Sequence, residues 1–583
     1  MTAASLVTDP TGLARRMRPR ARWVLPPEPD PVAAAALAAE LRLPEPICRL
    51  LLVRGHASPD AAKRFLRPRL EQLHDAGSLL SLDVAVERLV RAVRGGETIL
   101  VHGDYDVDGI CSTTLMTRAL RTFGATVVPF IPRRLEDGYD LTDAGVDAAV
   151  AAGAKVVVTC DCGTSARVPI QRLCEAGIDV IVSDHHLPGG PLPDCLAVLN
   201  PKRPGCEYPD KDLAAVGVAF KLALAVARAL GANENVVYHQ LDLVALATIA
   251  DIAPLRGENR VFARYGLKLL QDTTNPGLRA LIRASGLEGK TLTAGRVGFI
   301  LAPRLNATGR IGHALRGVDL LTTTSESEAN RIARDLEEMN RQRQEMDRRM
   351  QEEALRKVDA LDLDHTYGIV LADERWHAGV IGIVASRVVE ETGRPAILVA
   401  MEGGQGKGSG RSIPAFDLHA ALGECRDLLV RFGGHRSAAG ITIDAANVDA
   451  VTRRFAEVAN ARLAAEDLVP ELRVDLEVSV DDVNDELEAL LRHFEPFGVG
   501  NPSPVLLARG VRLAAAPRLV GKDGLRLRLR TARGELDALG WGMASRLPEL
   551  HGTPLLDVAF RLERDEYNGA SRLQARLADF RPA

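Results

Sequence analysis

The chain has eight cysteines (Cys48, Cys111, Cys160, Cys162, Cys174, Cys195, Cys206 and Cys425) but no CxxC pair and none of the regular crowding of a disulfide framework. A disulfide-stapled secreted scaffold is thereby excluded, and a reducing compartment is expected. No eighteen apolar residues run together, which excludes an ordinary membrane-spanning helix. The first twenty residues hold Arg15, Arg16, Arg18 and Arg20 but no apolar core of seven or more, so no secretory leader is read there and a cytoplasmic location is expected. Excess charge of either sign is also missing. A formal charge of -4 and a pI near 6.4 give no global attraction to polyanions, so any affinity for nucleic acid must come from local patches. Lysine is scarce, ten residues among the 73 Lys plus Arg, and the arginines that dominate suit phosphate recognition through a planar fork.

What is present is ordinary globular material, 46% hydrophobic and 26% charged. At ~150 residues per domain, 583 residues imply about four domains. Residues 1–44 read as a leader, with Pro26, Pro27, Pro29 and Pro31 ahead of a helical pattern near 33–54. Residues 45–324 read as a first α/β unit, because from about 96 onward the apolar strands TILVHG, ATVVPFI, KVVVTC and DVIVS alternate with helical sequence. Fully apolar strands in that alternation predict a parallel sheet covered on both faces.

Residues 325–360 predict one long helix, with Ile332, Leu336, Met339, Met346 and Met350 recurring at helical spacing and Ser325 and Glu328 placed as a capping box. Such a helix, roughly 50 Å long at 1.5 Å per residue, connects two bodies. Residues 361–468 form a second, smaller α/β unit dense in glycine, and residues 469–583 a β domain. In LRLRLR, Arg526, Arg528 and Arg530 alternate with leucines, which predicts a strand with one apolar and one arginine face. Residues 503–546 carry nine Arg or Lys against three Asp or Glu, a local basic surface.

The chemistry-bearing residues fall at the ends of the apolar strands. ILVHGDYDVDG places His102, Asp104, Asp106 and Asp108 after one strand; VVVTCDCGTS places Asp161 after another; VIVSDHH places Asp184, His185 and His186 after a third. Asp251 follows the apolar LDLVALATIADIAPL. The carboxyl ends of parallel strands are where such sheets form their ligand crevice. Acids and imidazoles converging on one rim repel and desolvate one another unless a cation neutralises them. Carboxylates mixed with His favour Mn²⁺ or Mg²⁺ over a structural zinc. Two such ions would serve hydrolysis of a phosphate ester or anhydride. Cys160 and Cys162 are read as small buried thiols, on the argument that neighbours on an extended segment point opposite ways and leave Asp161 directed away from both.

These motifs resemble the DHH phosphoesterase superfamily and, within it, the RecJ family of single-strand-specific 5′ to 3′ DNA exonucleases. DYDVDG, CDCG, SDHH and ADIAPL resemble the four successive DHH motifs. GGHRSAAG resembles the hallmark of the DHHA1 domain, and APRLNATGR and FEPFGVGNPSP resemble elements peculiar to RecJ. The likeness covers about residues 45–583 and implies a DHH domain with a parallel sheet, a long connecting helix, a smaller α/β DHHA1 domain and a C-terminal OB-like β-barrel. It implies two Mn²⁺ or Mg²⁺ ions, the first held by His102 and Asp106, the second by Asp108, His185 and Asp251, with Asp161 bridging. Asp104 and His186 are implied as supporting or phosphate-contacting groups, with Asp104 also a possible ligand.

Gly433, Gly434 and His435 are implied to face the scissile group from across the cleft. Arg304, Asn306, Arg310, Arg411 and Ser412 would meet DNA phosphates or the 5′ end, and Arg526, Arg528 and Arg530 would track the single strand. The cleft would be too narrow for duplex, the products would be 5′-mononucleotides, and the role would lie in DNA repair and recombination. A monomer acting on single-stranded DNA, with a single-strand-binding protein or helicase as partner, is the implied assembly. A DHH/DHHA1 phosphodiesterase for nanoRNA or cyclic dinucleotides shares the metal motifs but is shorter and lacks the β domain. A manganese pyrophosphatase lacks GGHRSAAG. A non-catalytic single-strand-binding scaffold would not need the full set of acids and both histidines.

Overall fold

The computed structural model describes residues 7–8, 14–15, 20–567 and 570–583. Arg16 and Arg18 of the basic leader lie outside them. The first sheet contains β1 (Thr98–Gly103), β2 (Thr126–Phe130), β3 (Val156–Cys160), β4 (Asp179–Ser183) and β5 (Ala197–Leu199). Its order is β2-β1-β3-β4-β5, with every neighbour parallel. Period-two alternation sends Ile99, Val101, Val156 and Val158 into one core and Leu100 and Val157 into another, so both faces are covered as the apolar strands predicted. The helices α1 (Val107–Thr122), α2 (Ala215–Leu230), α3 (Leu241–Ala250) and α4 (Ala302–Ile311) pack around this sheet.

α5 (Glu326–Asp359) is a single helix of 34 residues, about 51 Å long at 1.5 Å per residue. Ser325 caps it by accepting the Glu328 N–H at 3.4 Å. Its first half buries Ala329, Ile332, Ala333 and Leu336 in the core of the first unit. Its second half buries Met350, Ala354 and Val358 in the second. One rigid element is therefore part of both cores.

The second unit holds β6 (Ile369–Asp373), β7 (Ala396–Glu402), β8 (Gln405–Arg411), β9 (Arg431–Gly434) and β10 (Ala438–Asp444), ordered β9-β10-β8-β7-β6. Only β6 and β7 pair in parallel; the other neighbours are antiparallel. The glycines of β8 have a packing reason: a Cβ at Gly408 would lie 2.5 Å from Ile441, so a smooth strand is required there.

The C-terminal domain contains β11 (Leu476–Glu477), β12 (Leu506–Val511), β13 (Arg518–Val520), β14 (Gly524–Thr531), β15 (Gly534–Gly540), β16 (Leu556–Tyr567) and β17 (Ala570–Pro582). They form one seven-stranded sheet in the order β11-β12-β16-β17-β15-β14-β13, whose two outer strands do not pair with each other among the described residues. β14 alternates as the sequence predicts, with Leu525, Leu527 and Leu529 buried and Arg526, Arg528 and Arg530 exposed.

The N-terminal helices depart from the sequence reading. Residues from 45 onward were grouped with the first α/β unit, yet helices Glu45–Val53 and Pro59–Leu66 bury Ile47, Cys48, Leu50, Leu51 and Ala62 in a core shared with Leu476, Leu487, Phe494 and Leu506. Part of the leader is built in as well, since strand Arg22–Val24 pairs in parallel with Glu471–Arg473. Arg260 ties this module to the first unit. It is buried, sits 4.0 Å over the Phe65 ring, and donates to the carbonyls of Phe65 (3.0 Å), Phe494 (3.0 Å), His493 (3.3 Å) and Glu495 (2.9 Å). Among the described residues no helix is long and apolar enough to cross a membrane.

Candidate metal centre and phosphate cleft

Each acidic side chain is aimed by the local fold. Asp106 is the N-cap of α1, and its Oδ1 accepts the N–H groups of Asp108 (2.9 Å) and Gly109 (3.1 Å). Gly109 must be glycine, because a Cβ there would lie 2.3 Å from the Asp104 carbonyl oxygen. Asp108 lies in the first turn of α1 and reaches the N-terminus of α2, accepting from the N–H groups of Ala215 (2.8 Å) and Val216 (2.9 Å). Asp161 follows β3 in the left-handed region, φ 66°. Cys160 and Cys162 are buried thiols as read, but the reason differs: the strand ends at Cys160, and it is the left-handed turn at Asp161, not strand alternation, that separates the carboxylate from them.

His185 Nδ1 lies 3.0 Å from the Leu213 carbonyl oxygen, to which it can only donate, so Nε2 presents its lone pair to Asp161 Oδ1 (3.3 Å) and Asp251 Oδ2 (3.7 Å). A lone pair facing two carboxylates is repulsive by itself and is the arrangement a cation relieves. His186 Nδ1 bonds Asp184 (2.8 Å) and its Nε2 meets the Tyr139 hydroxyl (3.1 Å). Asp184 also accepts the backbone N–H of Thr164, His185 and His186. It shapes the loop and holds the His186 ring.

Electrostatics agree with the geometry. Burial, then the neighbouring Asp106, raises the pKa of Asp104; burial and the same neighbour raise those of Asp108 and Asp161, and burial with Asp108 raises that of Asp251. Burial and the charge of His186 lower His185 to about 4, which keeps it neutral as a ligand must be. Burial opposes the charge on His186 too, but the hydrogen bond to Asp184 together with the attraction of Asp184, Asp251 and Asp104 outweighs it and raises His186 to about 9.

Three groups place potential ligand atoms within 4.8 Å of one another: Asp104, Asp106 and Asp161; Asp108, His185 and Asp251; Asp161, His185 and His186. The donor set fits two divalent cations that prefer oxygen with imidazole, with Asp161 common to two groups. Buried atoms without a hydrogen-bond partner support that fit, since both Asp104 Oδ1 and Asp161 Oδ1 are orphaned. His102, expected as a ligand, is in none of these groups. It is fully buried, with Nδ1 3.5 Å from Cys162 Sγ and its ring 5.3 Å from that of Phe130, while its Nε2, like the two carboxylate oxygens, is buried without a hydrogen-bond partner. Asp104, implied as a supporting group and a possible ligand, is in the first of these groups.

Above the acids lies a cleft of 310 Å³, lined by Tyr105, Arg134, Tyr139, Ile252, Asn306 and Arg310 among others. Asn306 and Arg310 come from α4, brought close by Gly309, where a Cβ would lie 2.2 Å from the Tyr105 carbonyl oxygen. Arg310 donates to the Gly379 carbonyl (3.1 Å), and Arg411 to Ser409 Oγ (3.0 Å). Burial, then Arg134, lowers both guanidinium groups, Arg310 to about 10, so three cations from two units converge. None of the three forms an ion pair among the described residues, which is the signature of an anion site.

Other expected contacts fall elsewhere. Arg304 is occupied by Glu337 on α5 (2.5 and 3.0 Å) and by the Ile300 carbonyl. Ser412 bonds the Phe416 carbonyl of its own loop (2.8 Å). Gly433, Gly434 and His435 are exposed at the β9 edge and do not line the acidic cleft. Arg526 is held bidentately by Asp537 (2.8 and 2.6 Å) and Arg528 by Glu535 (3.3 Å), so the arginine face of β14 is largely neutralised by β15; Arg530 remains exposed. Sequence reading missed Arg134 and Tyr139, which sit in the loop after β2. Their only signal is the dense RRLEDGYD run between two apolar elements.

A five-stranded parallel sheet that delivers these acids and histidines from its strand ends, joined by one long helix to a second α/β body, defines a DHH phosphoesterase. Family models agree: the DHH family N-terminal domain matches residues 98–248, the DHHA1 domain 365–461 and the RecJ OB domain 474–579. The single-stranded-DNA-specific exonuclease RecJ of Bacillus subtilis is 36% identical over 561 residues, 96% of this chain and 70% of that protein. The Escherichia coli RecJ is 35% identical over 561 residues, 93% of this chain and 96% of the relative. The crystal structure of RecJ in complex with Mn²⁺ from Thermus thermophilus superposes with a TM-score of 0.83 at 33% identity, covering 96% of this chain and 80% of that one; the same protein has been solved with Mg²⁺. The chain belongs to the RecJ family of single-stranded-DNA-specific exonucleases.

Proposed function

We propose that this protein is a metal-dependent exonuclease that degrades single-stranded DNA from its 5′ end to 5′-mononucleotides. The observation that carries the reading is the coincidence of orphaned carboxylate oxygens and a forward-facing His185 Nε2 with an unpaired arginine cluster over the same cleft. Two Mn²⁺ or Mg²⁺ ions, when bound, would supply an activated water and neutralise charge on the scissile phosphoryl group. Asp104, Asp106 and Asp161 would hold one and Asp108, His185 and Asp251 the other, with Asp161 shared.

The remaining chemistry belongs to the chain itself. His186, kept cationic by Asp184, lies at the cleft wall to stabilise developing negative charge. Arg134 and Arg310 line the acidic cleft and Arg411 lies near Arg134, a cationic cluster suited to a terminal 5′ phosphate and hence to an exonuclease counting one nucleotide inward from that end. A second cavity of 1710 Å³ lies where the N-terminal helices, both α/β units and the C-terminal domain meet; acidic residues such as Glu71, Glu258 and Asp475 line it beside Arg54, Arg64 and Arg256, so its charge is mixed. The C-terminal domain, matched by the RecJ OB model, also separates this chain from short phosphodiesterases of nanoRNA. The free cysteines favour a cytoplasmic setting. There a monomer would work in repair and recombination on strands exposed by a helicase or covered by a single-strand-binding protein.

The test is Mn²⁺-dependent digestion of a DNA oligonucleotide labelled at either end, with matched duplex and a short RNA alongside. Immediate mononucleotide release from the 5′ label, progressive shortening of the 3′-labelled strand and sparing of the duplex are expected. Asp161→Ala should lose at least ~10³-fold in rate, because it removes the carboxylate that both ions would share. Inertness toward the DNA with cleavage of the short RNA would replace this reading, and equal activity of Asp161→Ala would overturn the metal assignment.

A further inference from the structure

α3 ends in a Schellman turn. After the C-cap Asp251, the N–H of Ile252 bonds the Ile249 carbonyl (3.3 Å) and the N–H of Ala253 bonds the Thr248 carbonyl (3.2 Å). The residue at Ile252 is left-handed, φ 60°. Glycine normally fills this position because a Cβ, and above all a branched one, is strained there. Five non-glycine residues have positive φ among the described residues: Arg42, Ser81, Asp140, Asp161 and Ile252. Only the last is β-branched. Its side chain gains nothing from the fold in return, since it is 65% exposed. It lines the same cleft as Asp251, its neighbour in the chain, and as Arg134 and Arg310.

A strained backbone that holds an apolar side chain in water beside a catalytic group is placed for something that arrives later. We propose that Ile252 is a specificity-determining residue, an apolar ledge against which an unpaired nucleobase packs as its phosphate enters the acidic cleft. The chemistry of the rim selects this occupant. Most of the lining is carboxylate, imidazole, amide and guanidinium, suited to phosphate and sugar; Val107 is buried, Ala250 and Gly309 are small, and Ile252 is the one large exposed aliphatic side chain, facing the same cleft as the exposed ring of Tyr139. A paired base in a duplex has its faces covered by stacking and cannot use the ledge. The role rests on the single-strand nuclease reading above and adds to it a recognition element for the base.

The experiment compares an all-thymidine oligonucleotide with one whose first two 5′ nucleotides are abasic, for wild type, Ile252→Gly and Ile252→Asn. Both substitutions suit a left-handed residue, so thermal melting at or above that of wild type is expected and shows that the fold is intact. Wild type should prefer the base-bearing strand by about tenfold in kcat/KM, the scale of one apolar contact or stacked base. In both variants the ratio should fall toward one, chiefly through KM. Digestion by wild type with a ratio near one, or variants that keep the wild-type ratio, would remove Ile252 from recognition while leaving the nuclease reading standing. Failure of wild type to digest either strand would withdraw the nuclease reading and this role with it.

Discussion

Replacing Arg260 by methionine tests whether the C-terminal module is pinned to the first unit by one side chain. The guanidinium makes four bonds to carbonyl oxygens at 2.9–3.3 Å and lies 4.0 Å over Phe65. Charge-assisted bonds contribute roughly 1.5–3 kcal/mol each. The group is costly to bury, however: desolvation, then Arg264 and Arg54, lowers its pKa to about 9. Methionine preserves much of the apolar volume but removes the donor of four carbonyls, of which that of Phe494 keeps Asn501 Nδ2 at 2.8 Å. Setting the lost bonds against the relieved burial of charge gives a net loss of about 4 kcal/mol. For a domain of 150–250 residues this is roughly 8–16 °C at about 2–4 °C per kcal/mol. Calorimetry should therefore show the transition of the C-terminal module moving down and away from that of the α/β units, together with a raised KM for long single strands. A shift below about 2 °C with a single unsplit transition would refute the idea that Arg260 carries the junction.

Stripping the protein of divalent metal should destabilise it more at alkaline than at acid pH. Asp104, Asp108, Asp161 and Asp251 all have raised pKa values, so the folded chain holds protons that the unfolded chain releases, and stability falls as pH rises through those values. Mn²⁺ should reverse the trend, because ligation requires the deprotonated acids; melting curves from pH 5 to 8.5 with and without Mn²⁺ read the crossover, and parallel curves would count against the cluster as the cause. On β14, Arg526→Ala and Arg528→Ala should each change the KM for single-stranded DNA less than about twofold, since an exposed ion pair already occupies each guanidinium. Steady-state digestion of single-stranded DNA that shows tenfold rises in KM would restore that face as a principal DNA contact.

The first sheet and its acids were legible because their signals are local. Three apolar strands of five or six residues, β1, β3 and β4, are each followed at once by an acid, which states both the sheet and the edge at which it is used. The connecting helix was legible from its spacing and its cap. What escaped depended on partners far away in sequence. Ile47, Leu50 and Leu51 form an apolar helix face that would suit any core, and only the fold assigns it to strands more than 400 residues later. Arg304 reads as a phosphate contact until Glu337 is seen on α5, and Arg526 until Asp537 is seen on the adjacent strand. His102 sits in a motif full of ligands, yet its ring turns toward Cys162 and Phe130. Burial alone decides that. Arg134 and Tyr139 lie on a loop with no periodicity, where sequence carries little information about direction.

The shared core of the N-terminal helices and the last strands sets an order of events during synthesis. Helices Glu45–Val53 and Pro59–Leu66 emerge early, but their apolar faces find Leu506, Val558 and Phe560 only when the end of the chain has been made. At 5–20 residues per second that interval is roughly half a minute to a minute and a half. The two α/β units can meanwhile assemble along α5, so the molecule closes like a clasp, its first-made piece meeting its last. A chain halted before β12 would carry a complete acidic cleft beside an uncovered apolar face, and would be a target for chaperones while its chemistry was already in place.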